Sequence, residues 1–131
     1  MILLDTHVLL WLCLEPKRLS QPASAAIRKA LSSGGVAIAS ITLWEIAMLI
    51  ALGRLSAKGT PDGWIMGLVK TSGVVVKELT PIVAVLATQF PDEFSADPAD
   101  RLIAATAKAE GFALVTKDRK IRRSPLLKTI W

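Results

Sequence analysis

Met1-Ile2-Leu3-Leu4-Asp5-Thr6-His7 opens the chain with an aliphatic run that stops on an acid. A short apolar run without polar alternation is the signature of a strand buried on both faces. Such strands belong to parallel sheets covered by helices. An acid directly after the run falls at the strand's carboxyl end, where open α/β sheets gather their ligands. The pattern returns near the other end, where Phe112-Ala113-Leu114-Val115 leads into Thr116-Lys117-Asp118.

Working outward, strands and helices alternate. Residues 8–14 read as helical and end at Glu15-Pro16. Ser20 is placed to cap a helix running to Leu31, and Gly34-Gly35 breaks it before a strand at Val36–Ala39. Ser40 is placed to cap the next helix, which ends at Gly53. Residues 57–63 read as a loop and 64–71 as a short helix stopped by Gly73. The β-branched stretch 74–78 is strand-like. Thr80-Pro81 and Asp97-Pro98 each open a helix, the second ending at Gly111. With 113–116 and 126–130, five strands are expected. The expectation is one α/β domain over residues 1–131, built on a mostly parallel sheet with helices on both faces.

Composition fits a large core: 52% of residues are hydrophobic. The longest apolar stretch, 36–52, is interrupted by Ser40, Thr42 and Glu45, which argues against a membrane span. No basic leader or small-residue cleavage pattern is read at the start. Cys13 is the sole cysteine, so no disulfide forms within the chain, and a cytoplasmic setting is expected with Cys13 as a core thiol. The tryptophans Trp11, Trp44, Trp64 and Trp131 are expected mostly in the core, with any that line a groove available to a partner helix.

Two further acids sit among apolar residues. Glu45 has Ile41, Thr42, Met48 and Leu49 as its helical neighbours, with no lysine or arginine on that turn. Neither a solvated face nor a local ion pair explains it, which favours a functional role. Asp100 falls in the first turn of its helix, where an anion suits the macrodipole. Asp97, just before a proline, reads as the N-cap of that helix. Asp5, Glu45, Asp100 and Asp118 therefore converge on one rim of the sheet, and a shared divalent cation is the simplest compensator of their charge. Hard carboxylate oxygens suit Mg²⁺ or Mn²⁺, whereas a lone histidine and a lone cysteine build no zinc site. His7 stands beside Asp5 and is read as structural.

The net charge of +5 points to a polyanionic partner. Lys117, Arg119, Lys120, Arg122, Arg123 and Lys128 crowd the last stretch and are candidate phosphate contacts, with Arg54 and Arg101 as possible extensions. No aromatic residue interleaves them, so the sequence itself offers no base stacking there.

These motifs together resemble the PIN-domain ribonucleases, and specifically the VapC-type toxins of toxin–antitoxin pairs. The first motif is Leu3-Leu4-Asp5-Thr6-His7. The second is the stretch from Ser40 to Ala47 followed by Gly53-Arg54-Leu55. The third runs from Asp97 to Ala105, and the fourth is Leu114-Val115-Thr116-Lys117-Asp118. The resemblance implies a three-layer α/β/α fold and Mg²⁺- or Mn²⁺-dependent RNA cleavage. It further implies metal ligands at Asp5, Glu45, Asp100 and Asp118 with Thr116 nearby, a VapB-type antitoxin and a homodimer. The chain departs from the pattern at Leu49, where relatives often carry a basic residue, and at Ser95-Ala96, where they often carry a histidine. Other readings of the acids are weaker. A phosphotransfer receiver needs a second acid beside the first strand, a haloacid-dehalogenase-type phosphatase needs Asp-x-Asp, and a non-catalytic RNA-binding module leaves the acids unexplained.

Overall fold

A computed structural model describes residues 1–131. Five strands form one sheet in the order β3-β2-β1-β4-β5, and every pairing is parallel. They are β1 (Ile2–Leu4), β2 (Val36–Ala39), β3 (Val75–Lys77), β4 (Ala113–Val115) and β5 (Thr129–Ile130). The helices are α1 (Thr6–Leu14), α2 (Gln21–Ser32), α3 (Ile41–Ala51), α4 (Pro61–Ser72), α5 (Pro81–Thr88), α6 (Pro98–Glu110) and α7 (Arg119–Arg123), with a 3₁₀ turn at Pro16–Arg18. The three-layer α/β/α architecture with a central parallel sheet is the expected one.

The layers follow from the period of two along the strands. Leu3, Ala37, Ala39 and Leu114 face one way and pack on Val83 and Ala87 of α5, on Ile103 and Ala104 of α6, and on Ile121 of α7. Leu4, Ile38 and Val115 face the other way, onto Val8 and Leu9 of α1, Ile27 of α2, Ile46 of α3 and Leu68 of α4. Burying one such leucine or isoleucine side chain contributes about 1.5–3 kcal/mol. The sheet is held by both faces at once. Asp97 accepts a hydrogen bond from the amide of Ala99 at 2.9 Å, the capping role expected of it. Gly73 and Gly111, with φ of 72° and 71°, end α4 and α6 in the left-handed conformation that glycine adopts without strain.

Three local expectations need correction and one element is new. Thr60 accepts from the amide of Gly63 and starts α4 at Pro61, so Pro61-Asp62-Gly63 is the helix's first turn rather than loop. Ser40 has helical φ and ψ and makes no side-chain cap bond, because the chain already turns at that residue. The basic segment after Asp118 is a short helix, capped by Asp118 through the amide of Ile121 at 3.1 Å. Finally, no tryptophan is fully buried. Trp44 is 57% exposed on the outer side of α3, while Trp11, Trp64 and Trp131 are half-buried at the edges. The small and aliphatic residues of the short strands already fill the space between layers.

Candidate active site

The strand order reverses between β1 and β4: the chain moves from β1 outward to β2 and β3, then returns to place β4 on the other side of β1. This is the position at which an α/β sheet opens a crevice at its carboxyl edge. Asp5 directly follows β1, and Thr116 and Asp118 follow β4. Glu45 comes from the second turn of α3 and Asp100 from the first turn of α6. Asp5, Glu45, Asp97, Asp100 and Asp118 line one open cavity of about 520 Å³ together with His7, Trp11, Arg18 and Lys117. A larger cavity of about 600 Å³, lined by Leu12, Cys13, Trp64 and Leu68 among others, is mostly apolar and carries no carboxylate. Chemistry, not size, therefore locates the site. Cys13 is only partly buried in that apolar wall, and burial pushes its thiol up, away from the reactive thiolate.

Hydroxyls orient three of the acids, Asp5, Glu45 and Asp100. Asp5 accepts from its neighbour's amide, Thr6 N, at 2.8 Å with Oδ1, and from Thr116 Oγ1 at 2.7 Å with Oδ2. Thr6 donates its hydroxyl to Glu45 Oε1, and its oxygen lies 2.9 Å from that of Thr42, one turn before Glu45 on α3. Ser95 donates to Asp100 Oδ2 at 2.6 Å. Thr6, Thr42, Ser95 and Thr116 are all buried. The two salt bridges of the chain, Arg18–Glu15 and Lys77–Glu110, leave these acids aside.

The energetic consequence is a set of unneutralised charges. Loss of hydration pushes Asp5 up from the usual carboxylate range, against the lowering effect of its Thr116 and Thr6 bonds. Glu45 is raised to about 7, first by burial and then by repulsion from Asp5, Asp100 and Asp97. Asp100 is raised to about 6, by burial and then by Asp5, Asp97 and Asp118. Acids whose charge is disfavoured in this way, first by burial and then by one another, mark a candidate functional site.

The carboxylates that could hold a cation are thus Asp5, Glu45 and Asp100, with Asp118 alongside. As placed here they share a cavity but are not clasped on one point: no group of three or more His, Cys, Asp or Glu side chains comes close enough to hold an ion. Each acid instead turns an oxygen to a hydroxyl or an amide.

The basic residues divide. Lys117 lines the acidic cavity, whereas Arg119, Arg122 and Arg123 line a neighbouring one of about 530 Å³ with Thr129 and Trp131. Arg54 lies with Arg18 in an adjoining groove that also contains Leu49. Arg101 is instead engaged with the backbone. Its guanidinium donates to the carbonyl oxygens of Ser95, Phe90 and Pro91 at 2.8, 2.8 and 3.1 Å. The sequence assigns no role to Thr6, Thr42 or Ser95, and Trp11, expected in the core or in a groove for a partner helix, lines the acidic cavity instead. The available signal was spacing: Thr42 stands one helical turn before Glu45, and Ser95 stands two residues before the capping Asp97.

A parallel five-stranded α/β/α sheet with acids gathered at its switch point defines a class of fold, and the family comparison agrees. Residues 2–125 match the PIN domain model. The chain is 42% identical over 135 aligned positions to ribonuclease VapC22 of Mycobacterium tuberculosis (strain ATCC 25618 / H37Rv), an alignment covering 99% of this chain and 98% of that protein. The chain therefore belongs to the PIN-domain family, close to its VapC-type toxins. Solved structures share the fold. VapBC2 from Rickettsia felis, bound to a DNA fragment from its promoter, superposes with a TM-score of 0.73 at 20% identity, over 98% of this chain and 97% of that one. DNA-bound VapBC from Salmonella typhimurium gives 0.68 at 23%, over 98% and 97%.

Proposed function

We propose that this chain is a metal-dependent ribonuclease, the toxin of a VapBC-type pair, that hydrolyses RNA phosphodiesters in the acidic cavity. The observation that carries the reading is the set of three desolvated carboxylates, from the end of β1, α3 and α6, that face one open cavity and form no salt bridge. The donor set is wholly oxygen, which fits Mg²⁺ or Mn²⁺ in kind. Asp5, Glu45 and Asp100 would hold the ion directly or through water, and Asp118 would hold a second ion or orient the attacking water. When bound, the cation would lower the pKa of a water and stabilise charge on the departing oxygen. The chain's own residues do the rest. Thr6, Thr116 and Ser95 fix the carboxylate rotamers, and Lys117 places a positive charge on the cavity wall for a phosphate. His7 is exposed and tilted against Trp11, with their centroids 5.9 Å apart, and is not needed for the scheme.

The VapBC structures named above support a VapB-type antitoxin as partner for this chain, and with it we propose a homodimer in a cytoplasmic setting. No helix is long and apolar enough to cross a membrane. The deciding experiment is cleavage of generic RNA with Mn²⁺ or Mg²⁺ by the wild type and by Asp5→Asn, Glu45→Gln and Asp100→Asn. Near-complete loss in each folded variant supports the reading, because an amide cannot replace the charge of a carboxylate. Wild-type cleavage by Glu45→Gln would sink the shared site. RNA binding without any metal-dependent cleavage would leave a non-catalytic binding module.

A further inference from the structure

Trp11 and Trp131 come from opposite ends of the chain and meet with ring centroids 5.8 Å apart at an angle of 57°. Trp11 lines the acidic cavity, and Trp131 lines the basic one with Arg119, Arg122 and Arg123. The pair is therefore the partition between the two cavities. Cations crowd it: the guanidinium of Arg18 lies 4.6 Å and the ammonium of Lys117 5.8 Å from the centre of the Trp11 ring. Trp11 is thereby engaged on the acidic side, while Trp131, packed on one side against the core, is only partly buried and sits among exposed arginines.

We propose that Trp131, backed by Trp11, is a stacking site for an unpaired base of single-stranded RNA. The phosphates of the strand would lie on Arg119, Arg122 and Arg123, and the chain would continue past Lys117 to the acids. The substrate class rests on the ribonuclease reading above; the stacking site rests on the ring pair and its cations. An aromatic face beside a row of cations is how single strands are held without sequence readout, since every base has a π-face and every nucleotide a charge. A duplex offers no free base face and its A-form major groove is too narrow for side chains, so the site selects unpaired RNA. The aromatic partner that residues 117–123 lack in sequence is supplied by the fold.

The test is binding in EDTA, so that nothing is cleaved. Three fluorescein-labelled probes of equal length are compared: an oligouridylate, its abasic-ribose counterpart and its duplex with oligoadenylate. Wild type should bind the oligouridylate about five- to 150-fold tighter than the abasic probe, the range of one base stacked on an aromatic ring. Trp131→Ala should lose that preference and Trp131→Phe should keep most of it; the phenylalanine variant also carries the test if alanine impairs folding. Arg122→Gln with Arg123→Gln should weaken intact and abasic probes equally. Undiminished base preference in Trp131→Ala, equal binding of the three probes by wild type, or no RNA binding at all would overturn the proposal. Mn²⁺-dependent cleavage is measured separately. Cleavage with an unaltered base preference in Trp131→Ala overturns the stacking site alone, while the expected binding pattern without cleavage supports the site and overturns the nuclease.

Discussion

Thr116 and Asp5, 111 residues apart in the chain, are joined by a hydrogen bond of 2.7 Å from the threonine hydroxyl to Oδ2 of the acid. The same hydroxyl oxygen accepts the amide of Asp118 at 3.1 Å. One fully buried side chain thus ties the ends of β1 and β4 together across the switch point and sets the positions of two acids. Thr116→Val keeps the shape but strands a carboxylate oxygen and an amide. It should cost about 1–3 kcal/mol of stability and lower metal-dependent cleavage at least tenfold, while Thr116→Ser restores most of both. Thermal denaturation and initial cleavage rates decide. A valine variant with wild-type rates would show that Asp5 needs no such orientation.

The raised acids predict how stability varies with pH. Glu45 moves from 4.5 to about 7 and Asp100 from 3.8 to about 6, so between these limits the folded chain holds protons that the unfolded chain has released. Unfolding is then favoured as pH rises. Their contribution is most favourable to the fold below the unfolded values, declines through the range up to about 7, and is flat above it. Both groups are partly exposed, so solvent screening reduces the effect. Without metal, the melting temperature should fall by a few degrees from mildly acidic to neutral pH. Glu45→Gln should flatten that slope. Mn²⁺ should restore stability at neutral pH and do little in acid, where protons compete for the same oxygens. A metal-free melting temperature that instead rises over this range, or that stays unmoved by Mn²⁺ at neutral pH, would contradict the linkage.

The fold and the acids were legible in sequence for different reasons. Ile2-Leu3-Leu4 and Ala113-Leu114-Val115 are buried on both faces, so the strands betray themselves by the absence of alternation. Glu45 stands out because α3 offers it no cation. What escaped was set by distance through space. Nothing local marks Thr6 as the donor to Glu45, or Ser95 as the donor to Asp100, since a hydroxyl is compatible with almost any surrounding. Trp131 meets Trp11 only because β5 adds beside β4 at the edge of the sheet. Gly63 makes the start of α4 look like loop in the sequence, although Thr60-Pro61 before it is a sound helix start.

Arg101 gives a third prediction. Its three carbonyl bonds hold residues 90–95 against the start of α6, which brings Ser95 to Asp100. Charged donors to carbonyls are worth more than neutral ones, so Arg101→Leu should cost roughly 2–4 kcal/mol. Lysine recovers only part, because a single ammonium cannot span three acceptors as a planar guanidinium does. The loss should appear as a lower melting temperature together with faster proteolysis within residues 90–97. A leucine variant with an unchanged melting temperature would mean that water replaces the guanidinium without penalty.

Phosphate contacts on α7 are separable from the metal site by their response to salt. Arg122 and Arg123 are exposed, and with Arg119 they line the basic cavity rather than the acidic one. Each phosphate neutralised on a single strand releases part of a counterion, about 0.7 per contact. Replacing Arg122 and Arg123 by glutamine should therefore lower the slope of log affinity against log salt by about 1.4 if each holds one phosphate. Affinity at low salt falls with it, and at high salt the variant and the wild type converge. The Mn²⁺-induced rise in melting temperature should survive intact, because neither residue touches a carboxylate of the site. RNA titrations over a series of salt concentrations, beside melting curves with and without Mn²⁺, measure the two responses independently. An unchanged salt slope would move the phosphate path off α7, toward Arg18 and Arg54 in the groove beside Leu49. A lost Mn²⁺ response would show instead that the two cavities are coupled through Asp118, which caps the helix carrying these arginines.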